Sequence, residues 1–236
     1  MFKQLLKRLI FPHSYSGEAY KNWLRKCGVE IGEHTEVFSP NHTMIDVNRK
    51  YILTIGDYCK ITSGVTILTH DYSRSISARV YGEYVGGALP VKIGDNVFIG
   101  QNATILMGTT IGNNCIVGAG AVVKGAFPDN VVIAGNPARV VCTLEEFYNK
   151  SKQRVADDAK RCALAIYERT GRRPTVEEMC DSYIELYMPH TKETIDAYPG
   201  MFVRAADDAD RIVNDFLNSK PTFESFEAFL EYCGIQ

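Results

Sequence analysis

The sequence predicts a mainly β fold, a parallel solenoid of six-residue repeats with a helix before it and a helical region after it. The first observation is a strict period of six, held by Ile55, Ile61 and Ile67 and again by Ile93, Ile99, Ile105, Ile111, Val117 and Val123. The second is a glycine directly after many of these aliphatic residues, at Gly56, Gly94, Gly100, Gly112 and Gly118. A fixed short period is typical of stacked coils, each made of short strands and turns.

The composition excludes several classes of protein. The chain of 236 residues has a formal net charge of −2, whereas nucleic-acid-binding domains usually carry a basic excess. No apolar run approaches the roughly 20 residues of a membrane span, and the N-terminus lacks the features of a secretory signal. The seven cysteines have no CxxC spacing, which argues against a disulfide framework or a structural zinc site. We therefore expect a cytoplasmic protein in a reducing compartment.

Residues 1–27 are predicted to form an N-terminal helical cap. The apolar residues recur at helical spacing, with lysine and arginine between them, at Phe2, Leu5, Leu6, Leu9 and Ile10. An apolar helix face of this kind covers the open end of a solenoid. The alternative is a weak contact of residues 1–11 with an anionic membrane surface.

The repeats are predicted to occupy residues 28–142. Because side chains alternate across a strand, each repeating aliphatic residue and the small residue two places before it should point inward. The pairs that obey this rule are Val97/Ile99, Ala103/Ile105, Thr109/Ile111, Cys115/Val117 and Ala121/Val123. Gly, Asn and Asp fill the next positions, where turns need left-handed backbone.

Three hexapeptides make one three-sided coil of 18 residues. We expect three full coils, at residues 55–72, 93–110 and 111–128, with a partial coil before them. The repeat begins near Ile31 and is interrupted between about Phe38 and Leu53. A further strand is expected at residues 131–134.

The period breaks after Tyr72, and residues 73–90 are predicted to be an excursion loop. Their sequence, SRSISARVYGEYVGGALP, does not scan as hexapeptides. A polar excursion from a rigid scaffold is a common place for function. His70 lies just before it, three places after the inward Ile67, so its imidazole should face outward beside the loop. An imidazole there is a candidate general base, because its ordinary pKa lies near neutrality.

Residues 143–236 are predicted to be a helical C-terminal region. Thr143 and Glu146 have the spacing of a capping box, which predicts a helix that runs to about Thr170 and ends at Gly171. Further helices are expected at residues 175–188, 203–218 and 222–233. The charges of this region are interpreted as solvated faces.

The hexapeptides, the outward His70 and the run Gly135-Asn136-Pro137-Ala138-Arg139 together resemble the left-handed parallel β-helix acyltransferases. Residues 28–142 are most similar to the branch that O-acetylates sugars and polysaccharides. The resemblance implies left-handed winding, which the period alone does not, because parallel crossovers are otherwise almost always right-handed. It also implies a homotrimer, with acyl-CoA in a groove between neighbouring subunits and no requirement for a metal.

The resemblance assigns the catalytic role to His70 and the binding of CoA to a set of matching positions. These are Gly118, Ala119, Gly120, Lys124 and Arg139. Small residues leave the backbone open to the pantetheine arm, and the two cations suit the phosphates of CoA. The alternative for both cations is a solvated surface position.

Candidate acceptor contacts are chosen by their location in or beside the loop. They are Asp71, Arg79, Tyr81, Glu83 and Tyr84. Asp71 is a candidate to orient His70, although adjacent residues of a strand face opposite ways.

The sequence thus predicts an acetyltransferase that uses acetyl-CoA, with His70 taking the proton from a hydroxyl of a sugar or polysaccharide precursor. Two alternatives stay open: N-acetylation of an amino-sugar or amino-acid acceptor, and a non-catalytic β-helix scaffold that binds partners through its helices.

Overall fold

The computed structural model describes residue 6 and residues 8–179, 183–200 and 209–235. The chain divides into two compact units, Met1–Phe147 and Tyr148–Gln236. Each unit has a hydrophobic core of its own.

The first unit contains the strands of the fold. In chain order they are β1 Glu30–Ile31, β2 Glu36–Val37, β3 Met44–Ile45, β4 Leu53–Ile55, β5 Lys60–Ile61, β6 Thr66–Ile67, β7 Val91–Ile93, β8 Phe98–Ile99, β9 Thr104–Ile105, β10 Thr110–Ile111, β11 Ile116–Val117, β12 Val122–Val123, β13 Ala126–Phe127, β14 Val131–Gly135 and β15 Ala138–Thr143.

These strands form the three faces of a prism. Sheet A has the order β1-β4-β7-β10-β13, sheet B the order β15-β14-β11-β8-β5-β2, and sheet C the order β12-β9-β6-β3. All pairs are parallel except β14 with β15, which is antiparallel. Each coil therefore gives one strand to each sheet, as in a β-helix, and the predicted parallel solenoid is confirmed.

The prediction of a partial coil before Ile55 was wrong. Strands β1, β2 and β3 make a complete coil, and Ile45 pairs in register with Ile67 of the next coil. Short 3₁₀ turns at Pro40–His42 and Lys50–Ile52 insert residues on both sides of β3. Because of the first insertion Ile45 lies eight residues after Val37, and the six-residue count fails there.

The inward positions form the core, as predicted. All five predicted pairs between Val97 and Val123 have exposed fractions of 1% or less. Burying one aliphatic side chain of this size contributes about 2–3 kcal/mol to the hydrophobic free energy of folding. At the turns, Asn96, Asn102, Asn114 and Asn130 adopt positive φ between 54° and 60°, the left-handed geometry expected of those positions.

The cap at the N-terminal end of the prism is helix α1, Gly17–Cys27. The Ser16 hydroxyl accepts a hydrogen bond from the N–H of Ala19, and Tyr20 and Leu24 pack into the core of the prism. The prediction that residues 1–27 are helical was right for Gly17–Cys27, but residues 11–16 leave the helical path. Phe2 and Leu5 lie outside the described residues, and the side chains of Leu9 and Ile10 are exposed.

The excursion after β6 contains a helix that the sequence did not predict. Helix α2, Arg74–Tyr81, ends at Gly82, whose φ is +74°. None of its side chains is buried. The excursion returns to the prism at β7.

Helix α3, Leu144–Thr170, follows β15 and has the predicted bounds. The Thr143 hydroxyl accepts a hydrogen bond from the N–H of Glu146, whose carboxylate accepts one from the N–H of Thr143, so the capping box is confirmed. Gly171 ends the helix with a φ of +69°.

The second unit continues with α4 Ile184–Tyr187, α5 Lys192–Ala197, α6 Ala209–Leu217 and α7 Phe226–Cys233. The prediction of one helix over residues 175–188 was wrong, since only a capping turn forms at Thr175 and α4 follows later. Residues 180–182 and 203–208 of the predicted helices lie outside the described residues. Across the described ranges, no helix combines the length and the apolar character that crossing a bilayer requires.

Candidate functional site

The imidazole of His70 is paired with a buried carboxylate. His70 follows β6 at the corner where the chain leaves sheet C, and Asp46 follows β3 of the preceding coil at the same corner. The Nδ1 atom of His70 lies 2.5 Å from Oδ2 of Asp46. The side chain of His70 is 33% exposed, whereas that of Asp46 is only 3% exposed. One ring edge of His70 is thus anchored while the residue remains accessible to solvent.

Asp46 is held by three further hydrogen bonds. Thr69 donates to Oδ2 from its hydroxyl at 2.5 Å and from its N–H at 3.2 Å, and the N–H of Asn48 donates to Oδ1 at 2.9 Å. Burial acts to raise the pKa of the Asp46 carboxyl, but these bonds and the one from His70 outweigh it and hold that pKa below its ordinary value. Asp46 is therefore a fixed anion beneath His70.

This pairing defines the tautomer of His70. A carboxylate only accepts hydrogen bonds, so Nδ1 carries the hydrogen and donates it to Asp46. Nε2 on the other side of the ring is then the acceptor. An imidazole in this state can take a proton at Nε2, and the carboxylate stabilises the imidazolium that results.

The excursion is tied to the backbone of His70 at its base. His70 and Ala88 form an antiparallel bridge. The N–H of Asp71 donates to the carbonyl of Gly87, and the N–H of Leu89 donates to the carbonyl of Thr69, both at 3.1 Å. The ascending and returning stems thus lie side by side next to the imidazole.

The carboxylate of Asp71 is bonded to Ser73, and no described hydrogen bond joins it to the His70 imidazole. Its carboxylate accepts hydrogen bonds from the N–H and the hydroxyl of Ser73, both at 2.8 Å. These bonds, with smaller contributions from the positive charges of Arg74 and Lys124, hold the pKa of Asp71 below its ordinary value. The carboxylate that orients His70 is accordingly Asp46 and not Asp71.

The other acceptor candidates lie farther out on the excursion. Arg79 and Tyr81 are exposed in the last turn of α2, and Glu83 and Tyr84 are exposed just after it. The described hydrogen bonds at the base of the excursion involve none of these four side chains.

The predicted CoA-binding residues divide between two corners of the prism. Gly118, Ala119 and Gly120 form the turn from sheet B to sheet C. The N–H of Gly118 donates to the carbonyl of Ile133, and Ala134 beside it pairs in register with Arg139, an exposed residue, so the glycine turn and the backbone of Arg139 lie in one row. Nη1 of Arg139 donates to the carbonyl of Ala138 at 2.7 Å.

Lys124 instead follows β12 at the corner after sheet C, the corner that also carries His70. His70 belongs to the second coil and Gly118 to the fourth. Neighbouring coils are about 4.8 Å apart, so the two positions differ by about 10 Å along the axis in addition to lying at different corners.

Comparison with known proteins identifies the family. Residues 90–124 match the family model described as the hexapeptide repeat of succinyl-transferase. Protein CapG of Staphylococcus aureus is 42% identical over 127 residues, covering 54% of this chain and 73% of the relative. Galactoside O-acetyltransferase of Escherichia coli K12 is 40% identical over 152 residues, covering 56% of this chain and 72% of the relative. The chain belongs to the hexapeptide-repeat acetyltransferase family.

The predicted enzyme class, an acetyltransferase, is therefore confirmed. Among solved structures, a hexapeptide-repeat acetyltransferase of Vibrio cholerae in complex with acetyl coenzyme A matches with a TM-score of 0.41 and 29% identity. That match covers 50% of this chain and 61% of the other.

Asp46 of this acetyltransferase was not among the site residues predicted from the sequence. The signal that could have located it is the dipeptide Met44-Ile45 directly before Asp46. This dipeptide has the outward and inward residues expected of one more strand. Accepting Ile45 as a repeat position places Asp46 at the same corner as Thr69 and His70.

Proposed function

We propose that this acetyltransferase moves an acetyl group from acetyl-CoA to a hydroxyl of a saccharide acceptor, with His70 as general base. The observation that carries the proposal is the Asp46–His70 pair at the mouth of the excursion. The saccharide acceptor is supported by the similarity to the galactoside O-acetyltransferase over 56% of the chain.

The chemistry follows from the tautomer of His70. Nε2 takes the proton of the acceptor hydroxyl while the oxygen attacks the thioester carbonyl carbon. The carbon–sulfur bond then breaks, and the imidazolium returns its proton to the departing sulfur of CoA. Asp46 stabilises the transient positive charge of His70 through the hydrogen bond at Nδ1.

The donor-binding part of the proposal is supported by the open turn at Gly118–Gly120. Ala119 and Gly120 are exposed, and a Cβ added at Gly120 would meet no atom within 4 Å. A narrow chain can therefore approach the backbone there and bond to it. Arg139 in the same row is suited to a phosphate of CoA, and Lys124 is the second candidate cation.

We further propose a left-handed prism and a homotrimer in which neighbouring subunits share each site. The separation of His70 from the Gly118–Gly120 turn supports this arrangement. Three prisms can pack around a common axis. The corner after sheet C, which carries His70, then lies against the corner between sheets B and C of the next subunit, which carries Gly118–Gly120. His70 and the Gly118–Gly120 turn that binds CoA then come from different chains.

Acetylation of an amino group is the alternative reaction, because His70 can also take a proton from an ammonium or amine group. The acceptor panel below separates the two reactions. A non-catalytic scaffold needs no ordered Asp–His pair beside an open loop, so the geometry favours the enzyme.

The test is release of the CoA thiol from acetyl-CoA, followed over a panel of saccharides, amino sugars and amino acids. We expect turnover with a hydroxyl acceptor and a loss of at least about 1,000-fold in kcat for His70→Asn at unchanged thermal stability. Full activity in that variant would overturn the role of His70. Product only with amines would replace the O-acetyl assignment.

Sharing of the site between subunits has its own test. His70→Asn and a variant that blocks the donor turn, Gly120→Trp, should each be inactive alone. Mixed after denaturation and refolding, they should regain a fraction of wild-type activity, because some sites then combine an intact His70 with an intact turn. No recovery in mixed trimers would contradict a shared site.

A further inference from the structure

The excursion beside His70 has little to keep it ordered apart from its base. Helix α2 has only eight residues, and a helix of this length is not stable without packing. Ile76 and Val80, one turn apart on that helix, are 69% and 67% exposed. Within one subunit, the stability of the excursion therefore depends largely on the contacts between its two stems.

Arg74 joins the two stems at the point where they separate. It is the first residue of α2 on the ascending stem, and its Nη1 atom donates a hydrogen bond to the carbonyl of Gly86 on the returning stem. This bond lies just beyond the backbone bond from Asp71 to Gly87 and the bridge from His70 to Ala88. It is the outermost described bond of the stem pairing.

The guanidinium of Arg74 occupies the space next to Gly87. A Cβ built on Gly87 would come within 2.6 Å of Nε and 2.7 Å of Cζ of Arg74. The backbone of Gly87 lies outside the left-handed region, and the three atoms nearest to a Cβ at that position all belong to Arg74. A Cβ built on Gly86, in contrast, would meet only the ring of Tyr84, at 3.9 Å.

We propose that Arg74 is a positioning residue for the reaction: it clasps the returning stem at Gly86–Gly87 and so holds the stem that pairs with the backbone of His70. Gly87 is small because the guanidinium needs its space. This role rests on the function proposed above, because the contact of Arg74 with Gly86–Gly87, here called the clasp, matters for the reaction only if His70 is the base. Two consecutive glycines are the most flexible link a chain can have, so without Arg74 the returning stem loses its outermost restraint.

The experiment compares Arg74→Ala, Gly87→Ala and the double variant, with Gly86→Ala as the matched control. The first readout is trypsin cleavage after Arg79, which lies in the exposed excursion and requires its local opening. We expect cleavage about 10-fold faster in Arg74→Ala and in Gly87→Ala, and within twofold of wild type in Gly86→Ala. The double variant should be no faster than Arg74→Ala alone, because the alanine methyl then meets no guanidinium.

The second readout is steady-state kinetics in the thiol-release assay. We expect kcat to fall about 10-fold in Arg74→Ala, with the KM for acetyl-CoA within twofold of wild type, because a base displaced by a fraction of an ångström reacts more slowly without losing the donor. Arg74→Lys should recover part of kcat, since an ammonium can still reach one carbonyl. Thermal melting of all five variants checks that the prism is intact.

Several results would overturn the clasp. The first is a cleavage rate and a kcat in Arg74→Ala equal to those of wild type. The second is a cleavage rate in the double variant that equals the product of the two single effects. The third is a raised KM for acetyl-CoA in Arg74→Ala at unchanged kcat. The trypsin readout needs no activity, so it judges the clasp even if His70→Asn proves active. That latter result would instead overturn the proposed function.

Discussion

Asp46 and His70 stand on successive coils of the prism, and their side chains meet at a distance of 2.5 Å between Oδ2 and Nδ1. The pair lies at the corner where residues 73–90 interrupt the coil. The parallel register of β3 with β6 brings the two residues together, although they are 24 positions apart in the chain. The stacking of two coils thus supplies the carboxylate, and the imidazole beside the excursion remains partly exposed.

Replacing Asp46 with asparagine should reduce kcat by roughly 100-fold. The asparagine amide can donate to Nδ1, which favours the wrong tautomer of His70, and it carries no charge to stabilise the imidazolium. Thiol release measures the effect. Asp57→Asn is the matched control, because Asp57 pairs with His34 at 2.9 Å at a different corner. Equal kcat in Asp46→Asn and wild type would contradict the role of Asp46.

The stability contributed by ionised Asp46 should be lost in acid. Its pKa in the folded protein is lowered from an unfolded value of about 3.9. The contribution is therefore fully present above about pH 5 and disappears as the pH falls through the lower, folded value. We expect the difference in melting temperature between wild type and Asp46→Asn to shrink from pH 5 to pH 2.5. A constant difference over that range would show that the carboxylate charge is not involved.

Substitution of Arg139 by glutamine should raise the KM for acetyl-CoA about 10-fold, the loss of one charge-assisted contact of about 1.4 kcal/mol. Acetyl-pantetheine, which lacks the nucleotide phosphates, should show no change in KM. Lys92→Gln removes a cation from sheet A and serves as control. A KM that rises equally for both donors would argue for a structural role of Arg139.

Alanine in place of Gly56 should destabilise the first unit by about 1–3 kcal/mol. A Cβ at this corner would come within 2.5 Å of the carbonyl group of Gly94 on the next coil, and backbone atoms cannot move aside as a side chain can. Urea denaturation gives the change in unfolding free energy, with Gly86→Ala as the control glycine. A loss below about 0.5 kcal/mol for Gly56→Ala would mean that the coils can separate at that corner.

Much of the prism could be predicted from the sequence because its signals are local and repeated. The inward pairs from Val97 to Val123 and the helix that starts at Thr143 depend on residues within a few positions of each other. Insertions around β3 broke the six-residue count, so the first coil was predicted only as a partial one. Thr175 and Glu178 form the same capping contact as Thr143 and Glu146, but there the chain does not continue as one long helix, because a cap starts a turn and only packing extends it.

Helix α2 was missed for a related reason. Ser73 makes no side-chain capping bond, and none of the helix's residues is buried, so the segment carries neither a start signal nor an apolar face that packs in the described chain. Its order depends on stem contacts such as that of Arg74 with Gly86, which a sequence pattern does not encode.

The sequence by itself determined the repeat, the inward residues, the outward His70 and the place where the period breaks, because each depends on alternation or on spacing along the chain. Only the tertiary structure decided which carboxylate meets His70 and which side chain holds the excursion. Asp46 reaches His70 across 24 residues, and Arg74 reaches Gly86 across 12. Both contacts come from stacking one coil on another or folding one stem against another, and spacing within a single repeat does not identify either partner.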